Sequence, residues 1–372
     1  MKSSLFPLVL VTLLLSLNPS VTGKGLLEPC SISSMYIFGD SVSDAGNAIV
    51  EYPNSYAGQF PNGMTIGKAT GRFCDGLLIV DRIAESAGLP PTNPFENKSL
   101  NHSTGANFAV GGVGLLSKEL RADLHVELGS SQSSLEVQLG WFDEFLREEP
   151  ARADKIGSAL FVLGGGGNDY ASFQMNDSFF NDHPLRAKML IMPYVIDSLK
   201  NGTKKVIQYG AKKIVLLGVY QGGCLPGTNE SMLHVDGIFC SKAWNSYHEL
   251  HNQLVQKLVR DLSKEFPDVR IVYGNIWSGV DRLFHNYRSL GFEHSNAVRC
   301  CGNASNTNCG SPGSHYMFWD GRHFTDHAYR VISDSMIPQI FEGLRCGGAP
   351  APAKNLDEQR TTSLLQRQQN WS

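Results

Sequence analysis

Several features are scarce or missing in this chain of 372 residues. Lys and Arg total 32 against 35 Asp and Glu, which leaves a formal net charge of −3 without a basic cluster, and this predicts no nucleic-acid partner. No Cys-x-x-Cys pair occurs, so the cysteines do not indicate a zinc site, and nothing in the sequence predicts a metal or another cofactor. No internal repeat or heptad pattern is present. With 42% hydrophobic and 18% charged residues, the composition is that of a globular protein.

Long apolar runs are also missing, apart from one at the N-terminus. Lys2 precedes an apolar stretch from Leu5 to Leu17, which Pro19 and the small residues of Val21-Thr22-Gly23 follow. The stretch is shorter than the roughly 20 residues that a membrane anchor needs. We therefore predict a removable signal peptide over residues 1–23 and no stable membrane anchor.

Two further features agree with export. The eight cysteines are scattered along the chain, as suits disulfides in an oxidising compartment. Adjacent Cys300 and Cys301 are expected to bond to different partners, because a vicinal disulfide is strained. The alternative is that individual cysteines stay buried as thiols. Candidate N-glycosylation sequons, each expected in a surface loop, occur at Asn97, Asn101, Asn176, Asn201, Asn229, Asn303 and Asn370. We predict a secreted protein, delivered to the extracellular space, the cell wall or the vacuole.

Short apolar segments alternate with segments of helical periodicity, which predicts an α/β fold with buried parallel strands. The carboxyl ends of the predicted strands carry the Gly-rich and polar residues, and such ends meet at one edge of the sheet where ligands bind. Strands are predicted at 35–38, 159–163, 213–219 and 269–273, and helices at 134–147, 187–209 and 241–265.

After Cys346 the chain becomes rich in Gly, Pro, Gln and Thr, with little that could pack. We predict a flexible C-terminal tail over 347–372 and a single domain over 24–346, present as a monomer.

Ser41 follows the first predicted strand through the short turn Gly39-Asp40. A serine where a strand passes into a helix can expose its hydroxyl and turn its backbone N–H toward an anion. Taken alone, the position is more typical of a helix cap formed by Ser41 or Asp40 than of a nucleophile. The common nucleophile motif Gly-x-Ser-x-Gly is absent from the chain.

Asp320 lies three residues before His323, close enough to accept the Nδ1–H of the imidazole and orient a general base. An exposed acid–histidine pair is one alternative. Another is a metal site that uses His323 and His327 at i and i+4, although no third ligand is evident.

Hydrogen-bond donors for an oxyanion could come from the backbone N–H of Gly112 and the side-chain amide of Asn168. Both residues stand in Gly-rich segments, which could also be plain tight loops. The glycine spacing matches neither standard phosphate-binding motif, so nucleotide binding is not predicted.

The order Phe-Gly-Asp-Ser, Gly-rich loop, Gly-x-Asn-Asp and Asp-x-x-His resembles the GDSL esterase/lipase family, also called SGNH hydrolases. The resemblance covers nearly the whole mature chain and is closest to the plant branch. Its further blocks are Gly71-Arg72-Phe73-x-Asp75-Gly76, Asn107-Phe108-Ala109, Gly223-Cys224-Leu225-Pro226, Asn245 with His251-Asn252, and Cys300-Cys301-Gly302.

The resemblance implies a three-layer α/β/α sandwich around a mostly parallel, flavodoxin-like sheet. It also implies Ser41 as nucleophile, His323 as base and Asp320 as its orienting acid, with an oxyanion hole from Ser41, Gly112 and Asn168. The chain departs from the plant pattern at Cys74, at Tyr220-Gln221-Gly222 and at Asn275. These departures bear on substrate preference rather than on activity.

The expected activity is hydrolysis of carboxylic esters through an acyl-enzyme, on a small or acylated plant metabolite. An acyltransferase using the same site, a lipase acting on longer-chain lipid esters, and a catalytically silent binding protein are the alternatives.

Overall fold

The computed structural model describes residues 25–124, 132–172, 184–226, 233–235, 237–301 and 315–346. Within them, five parallel strands form one sheet in the order β2-β1-β3-β4-β7. A separate antiparallel pair consists of β5 and β6. The strands are β1 (Met35–Phe38), β2 (Gly105–Asn107), β3 (Leu160–Gly164), β4 (Lys213–Leu217), β5 (Leu233–Val235), β6 (Ile238–Cys240) and β7 (Arg270–Gly274).

Helices connect the parallel strands, because neighbouring parallel strands need a crossover connection. The α-helices in the described ranges are α1 (Ala48–Glu51), α2 (Ile79–Ser86), α3 (Lys118–Asp123), α4 (Leu135–Glu148), α5 (Gly167–Ser172), α6 (Pro184–Gln208), α7 (Lys242–Glu265), α8 (Ile276–Asn286) and α9 (Asp326–Leu344).

The core has two halves, one on each face of the sheet. Successive side chains of a strand point to opposite faces. Met35 and Ile37 of β1 accordingly pack in the cluster that contains α2, α8 and α9. Tyr36 and Phe38 pack in the cluster that contains α4, α6 and α7. The predicted three-layer α/β/α sandwich with a flavodoxin-like sheet is confirmed.

The four predicted strands and three predicted helices lie within a few residues of their observed bounds. Strand β2 and the β5–β6 pair were missed. Strand β2 reads Gly-Ala-Asn, three residues with no apolar run, and it is a strand because its backbone pairs with β1 from Met35 to Ile37. Pairing by a neighbour leaves no hydrophobic signal in the sequence.

The cysteines agree only in part with expectation. Disulfides join Cys30 to Cys346 and Cys224 to Cys240, and Cys301 is disulfide-bonded as well. Cys300 is a buried thiol, so the expectation that both adjacent cysteines form disulfides is wrong. Cys300 packs with Trp319 in a small apolar cluster, where a thiol behaves as a hydrophobic side chain. Cys74 is the other buried thiol among the described residues.

Three of the candidate sequons fall in the described part of the chain. Asn101 is exposed and Asn97 partly so, both in the segment before β2. Asn201 is exposed but lies in α6, so the expectation of a loop is wrong there. Asn176, Asn229, Asn303 and Asn370 lie outside the described residues, as do the predicted signal peptide (1–23) and tail (347–372).

No helix in the described ranges has both the length and the apolar composition needed to cross a membrane.

Candidate active site

Ser41 lies just beyond the carboxyl end of β1, at the edge where the other parallel strands also end. The chain does not enter a helix here, because α1 begins only at Ala48. Neither Ser41 nor Asp40 therefore caps that helix. The carboxylate of Asp44 instead accepts the backbone N–H groups of Gly46 and Asn47, both at 2.7 Å, and of Ala48 at 3.1 Å. Ser41 is thus left without a capping role.

Asp44 also joins the Ser41 turn to the Gly-rich loop. Its Oδ2 accepts the N–H of Gly111 at 2.7 Å. Burial raises the pKa of Asp44 to about 6, against the lowering effect of the backbone hydrogen bonds. The carboxylate holds residue 111, next to Gly112, against the turn that carries Ser41.

Gln138 fixes the start of the same turn from the opposite side. This fully buried side chain of α4 accepts the N–H of Gly39 at 2.8 Å and donates to its carbonyl at 2.8 Å. It also donates to the carbonyl of Ser133 at 2.9 Å. Gly39 has no room for a side chain, because a Cβ there would lie 2.9 Å from the carbonyl oxygen of Gly164 in β3.

His323 lies on a second segment, directly before α9, and its ring meets Ser41. The Nε2 of His323 lies 2.8 Å from the Oγ of Ser41, across 282 positions of sequence. The Nδ1 of the same ring lies 2.7 Å from Oδ2 of Asp320. Both Ser41 and His323 are buried. The structure therefore brings the three residues into one hydrogen-bonded series.

Asp320 has the electrostatics of an orienting acid. Its burial would raise its pKa, but the neighbouring His323 and hydrogen bonds lower the pKa below its usual value. Those bonds include the backbone N–H groups of Arg322 at 2.7 Å and His323 at 2.8 Å, both donating to Oδ1. Asp320 therefore stays ionised and can hold the imidazole in the tautomer with Nε2 facing Ser41.

Two tyrosines, which the sequence analysis did not identify as site residues, hold this turn from either side. The hydroxyl of Tyr56 donates to Oδ2 of Asp320 at 3.2 Å. The hydroxyl of Tyr220 donates to the carbonyl of Arg322 at 2.7 Å. Burial raises the pKa of both tyrosines, and the charge of Asp320 raises each further, so both hydroxyls stay protonated donors. Tyr220 is one of the departures from the plant pattern, and here it contacts the segment that carries His323.

Phe73 lies between His323 and the Gly-rich loop at Gly111. Its ring centroid is 5.2 Å from that of His323 and 5.5 Å from that of Tyr56. A Cβ on Gly111 would lie 2.2 Å from the Phe73 ring. Phe73 therefore packs against the Gly-rich loop on one side and the imidazole on the other. This accounts for a glycine at position 111.

Two further residues of the Gly71–Gly76 block bond to helices, Asp75 to α9, which follows His323, and Arg72 to α2. Asp75 accepts the backbone N–H of Asp326 at 2.7 Å, at the first turn of α9. Arg72 forms a buried, bidentate ion pair with Asp81 of α2, with both N···O distances 2.8 Å. The block thus has a structural explanation.

Gly112 and Asn168 stand in neighbouring segments: Gly112 follows Gly111, whose N–H bonds to Asp44 of the Ser41 turn, and Asn168 bonds to the Gly-rich loop. Gly112 is exposed, has φ of +82°, and a Cβ there would meet open space, so its backbone is accessible and needs glycine. Among the described residues nothing accepts the backbone N–H of Ser41 or of Gly112. Asn168 Nδ2 donates to the carbonyl of Val113 at 2.7 Å, beside Gly112.

Asp169 joins the loop of Asn168 to the Gly-rich loop. Its carboxylate accepts the N–H groups of Leu115 at 2.9 Å and Leu116 at 3.2 Å. Burial raises the pKa of Asp169 to about 6, and the charge of Asp40 adds to the rise. Asp44 and Asp169 thus hold together the segments that follow β1, β2 and β3, at one edge of the sheet.

The metal alternative for His323 and His327 does not fit the geometry. His323 is engaged by Ser41 and Asp320, whereas the His327 ring stacks on Phe292 with centroids 4.3 Å apart. Within the described ranges no group of three or more His, Cys, Asp or Glu could hold a metal ion.

Other residues that carry the family resemblance make contacts away from Ser41, His323 and Asp320. Asn245 accepts the N–H of Gly223, and Asn252 bonds to both the N–H and the carbonyl of Val219, each at 2.8 Å. His251 is fully buried and bonds through Nδ1 to the Tyr170 hydroxyl at 2.8 Å. Burial lowers the pKa of His251 to about 4, so it is neutral.

Sequence reasoning missed Tyr56, Tyr220, Gln138 and Asp44. Only Gln138 leaves a usable signal, a lone amide in the apolar stripe formed by Leu135, Leu139 and Phe142. The tyrosines leave none, because their partners are distant in sequence.

A serine hydroxyl bonded to an imidazole, which in turn bonds to a carboxylate, is the arrangement of serine hydrolases, here at the edge of a flavodoxin-like sheet. Comparison with known proteins agrees with that class. Residues 35–336 match the model of the family described as GDSL-like Lipase/Acylhydrolase, and the chain belongs to this family. It is a carboxylic ester hydrolase.

Its relatives include plant esterases. The chain is 33% identical over 344 residues to Acetylajmalan esterase 2 of Rauvolfia serpentina, covering 85% of this chain and 92% of the relative. It is 31% identical over 359 residues to GDSL esterase/lipase At5g45910 of Arabidopsis thaliana, covering 87% and 94%. These relatives support ester hydrolysis on a small-molecule substrate.

Proposed function

We propose that this chain is a secreted serine esterase that uses Ser41 as nucleophile, His323 as general base and Asp320 as the acid that orients the base. The observation that carries the proposal is the series Ser41 Oγ to His323 Nε2 at 2.8 Å and His323 Nδ1 to Asp320 Oδ2 at 2.7 Å. These are hydrogen-bond distances, as a poised nucleophile and base require.

The first half of the reaction acylates Ser41. His323 Nε2 takes the hydroxyl proton as Ser41 Oγ attacks the ester carbonyl, and the C=O electrons move onto the oxygen. The N–H groups of Ser41 and Gly112 and the amide of Asn168 then stabilise the oxyanion. The C–O bond to the alcohol breaks, and His323 returns the proton to the departing oxygen.

In the second half, His323 takes a proton from water as the water oxygen attacks the acyl carbon. The bond from that carbon to Ser41 Oγ then breaks, the carboxylic acid leaves, and His323 returns the proton to Ser41 Oγ. Ionised Asp320 stabilises the imidazolium that forms in both halves. Phe73 supports this step by keeping one side of the imidazole in apolar contact.

The substrate we propose is a small acylated plant metabolite. Relatives named acetylajmalan esterases support a short acyl group. Tyr56 and Phe60, exposed by 40% and 62%, lie on the segment beside the base turn and offer apolar surface for the alcohol part of such an ester.

Secretion is part of the proposal. Residues 1–23 would be removed on export, and sequons on the exported chain would carry glycans. The disulfides Cys30–Cys346 and Cys224–Cys240 support an oxidising destination.

The test compares Ser41→Ala with the unaltered protein and with Ser43→Ala, a serine two positions further along the same turn. Ser41→Ala should lower kcat for a small aryl acetate by roughly 10⁴-fold or more and abolish labelling by a fluorophosphonate probe. Ser43→Ala should retain both. Substantial turnover or labelling in a folded Ser41→Ala protein would overturn the proposed nucleophile.

A further inference from the structure

Asn168, the side-chain donor for the oxyanion, stands at the second position of the short helix α5 (Gly167–Ser172). A helix this short is held in place by its packing rather than by its own hydrogen bonds. The contacts of α5 therefore decide where the Asn168 amide points. The carboxylate of Asp169 fixes α5 to the Gly-rich loop. The next residue, Tyr170, contacts α7 instead.

Tyr170 joins α5 to α7 inside the core. Its side chain is fully buried, and its hydroxyl lies 2.8 Å from Nδ1 of His251 on α7. The two rings meet edge to face with their centroids 5.5 Å apart. The ring of Tyr247, also on α7, meets Tyr170 edge to face at 5.7 Å. The tyrosine ring is thus enclosed, and its hydroxyl is directed to one nitrogen.

His251 also contacts the segment that leads into α5. A Cβ on Gly166 would lie 2.9 Å from Cε1 of His251 and 3.0 Å from Val195, and Gly166 has φ of +104°. Glycine is therefore the residue that lets the chain pass this close to the ring. His251 thus touches the chain two residues before Asn168 and, through Tyr170, two residues after it.

The Tyr170–His251 pair carries a free-energy cost. Burial lowers the pKa of His251 to about 4, so the ring is neutral and one nitrogen carries a proton. Among the described residues Nε2 has no partner, and the tyrosine hydroxyl bonds only to Nδ1. If Tyr170 donates to Nδ1, the Nε2–H lacks an acceptor, and if Nδ1–H donates, the hydroxyl proton lacks one. A buried donor without an acceptor is destabilising. Stability alone therefore does not account for this pair.

We propose that His251 and Tyr170 are positioning residues for the oxyanion donor. Their hydrogen bond, together with the contact between His251 and Gly166, fixes α5 so that the amide of Asn168 faces the oxyanion. A donor that is already in place when the charge develops is the most effective kind. A displacement of about 1 Å can cost about 10²-fold in rate. The inference rests on the proposed role of Asn168 in ester hydrolysis.

The test measures kcat and KM for a small aryl acetate with the full-length protein. Tyr170→Phe keeps the ring but removes the hydroxyl, and should lower kcat about tenfold with KM changed by less than about twofold. Thr203→Val is the matched control, because it also removes a fully buried hydroxyl bond, here to the carbonyl of Leu199 within α6, and should keep full kcat. Full kcat in folded Tyr170→Phe, or an equal loss in Thr203→Val, would overturn the inference.

A double-mutant cycle separates positioning from general damage. In an Asn168→Ala background no amide is left to orient, so adding Tyr170→Phe should lower kcat by less than about twofold more. A further tenfold loss, by about the same factor as in the unaltered protein, would show that Tyr170 acts independently of Asn168. That result would overturn the inference and leave the proposed hydrolysis standing. Full kcat in Asn168→Ala itself would overturn the oxyanion role of Asn168 and the inference with it, while Ser41→Ala judges the nucleophile separately.

His251 is tested by comparing two substitutions. His251→Leu removes the partner of the Tyr170 hydroxyl, whereas His251→Asn keeps an amide near the position of Nδ1 that can bond to the hydroxyl. His251→Asn should therefore keep about threefold more of the kcat than His251→Leu, with KM alike in both. Equal kcat in the two folded variants would overturn the role given to His251.

Discussion

The Ser41 side and the His323 side of the candidate site are held by different kinds of contact. On the Ser41 side, Gln138 and Asp44 bond to backbone N–H and carbonyl groups in the fully buried interior. On the His323 side, the hydroxyls of Tyr56 and Tyr220 reach a turn near the surface. Unpaired groups cost most where water cannot replace a lost partner. Damage to the Ser41 side should therefore destabilise the fold, and damage to the His323 side should reduce activity first.

The largest effect expected beyond the nucleophile itself comes from Asn168, on the Ser41 side. Asn168→Ala removes an amide donor beside Gly112 and should lower kcat for an aryl acetate by about 10²–10³-fold with little change in KM. Asn168→Asp, which keeps the size but not the N–H donors, should behave similarly. Full kcat in either folded variant would remove Asn168 from the oxyanion hole.

Substituting Gln138 tests whether contacts on the Ser41 side stabilise the fold. Gln138→Leu leaves the buried N–H of Gly39 without its acceptor, and the free energy of unfolding in urea should fall by about 2–4 kcal/mol, with a parallel loss of activity. Glu136→Ala, on the exposed face of the same helix, should change it by about 0.5 kcal/mol or less. Equal losses in the two variants would contradict the comparison.

Asp169 gives the same side a pH dependence. Its pKa of about 6 in the folded protein exceeds the ordinary 3.8, so the folded state binds more protons between these values. Asp169 alone should therefore lower the free energy of unfolding by about 2–3 kcal/mol as pH rises from 4 to 6, with little further change above pH 7.

Urea unfolding at a series of pH values checks this. In Asp169→Asn the free energy of unfolding should fall less with rising pH, because only the contribution of Asp44 is left. Asp154→Asn, at an exposed position, should show the same pH dependence as the unaltered protein. Parallel curves for all three proteins would show that Asp169 does not titrate in this range.

The smallest effects should come from the His323 side. Tyr56→Phe or Tyr220→Phe removes one hydroxyl contact to the base turn and should lower kcat about two- to tenfold, with unfolding free energy nearly unchanged. Tyr209→Phe, which removes a tyrosine–carboxylate bond to Asp143 elsewhere, is the matched control for activity. A loss of stability without loss of kcat would reverse the proposed difference between the two sides.

Much of the sheet could be predicted from the sequence, because buried parallel strands are apolar runs that local composition reveals. Strand β2 could not, because three residues with no apolar run become a strand only by pairing with β1. The free thiol of Cys300 could not either, since disulfide partners depend on distances in the folded chain.

By itself the sequence determined the class of fold and the residue types of the candidate site, with Ser41, Gly112, Asn168, Asp320 and His323 recognisable in order along the chain. Local pattern suffices for these, since each stands in a short, distinctive segment. Only the tertiary structure decided that Ser41 meets His323 across 282 positions rather than capping a helix. It also decided that Gln138 and Asp44 hold the Ser41 side, and that Tyr56 and Tyr220 hold the His323 side. Their hydrogen bonds join segments that only the folded sheet brings within reach of one another.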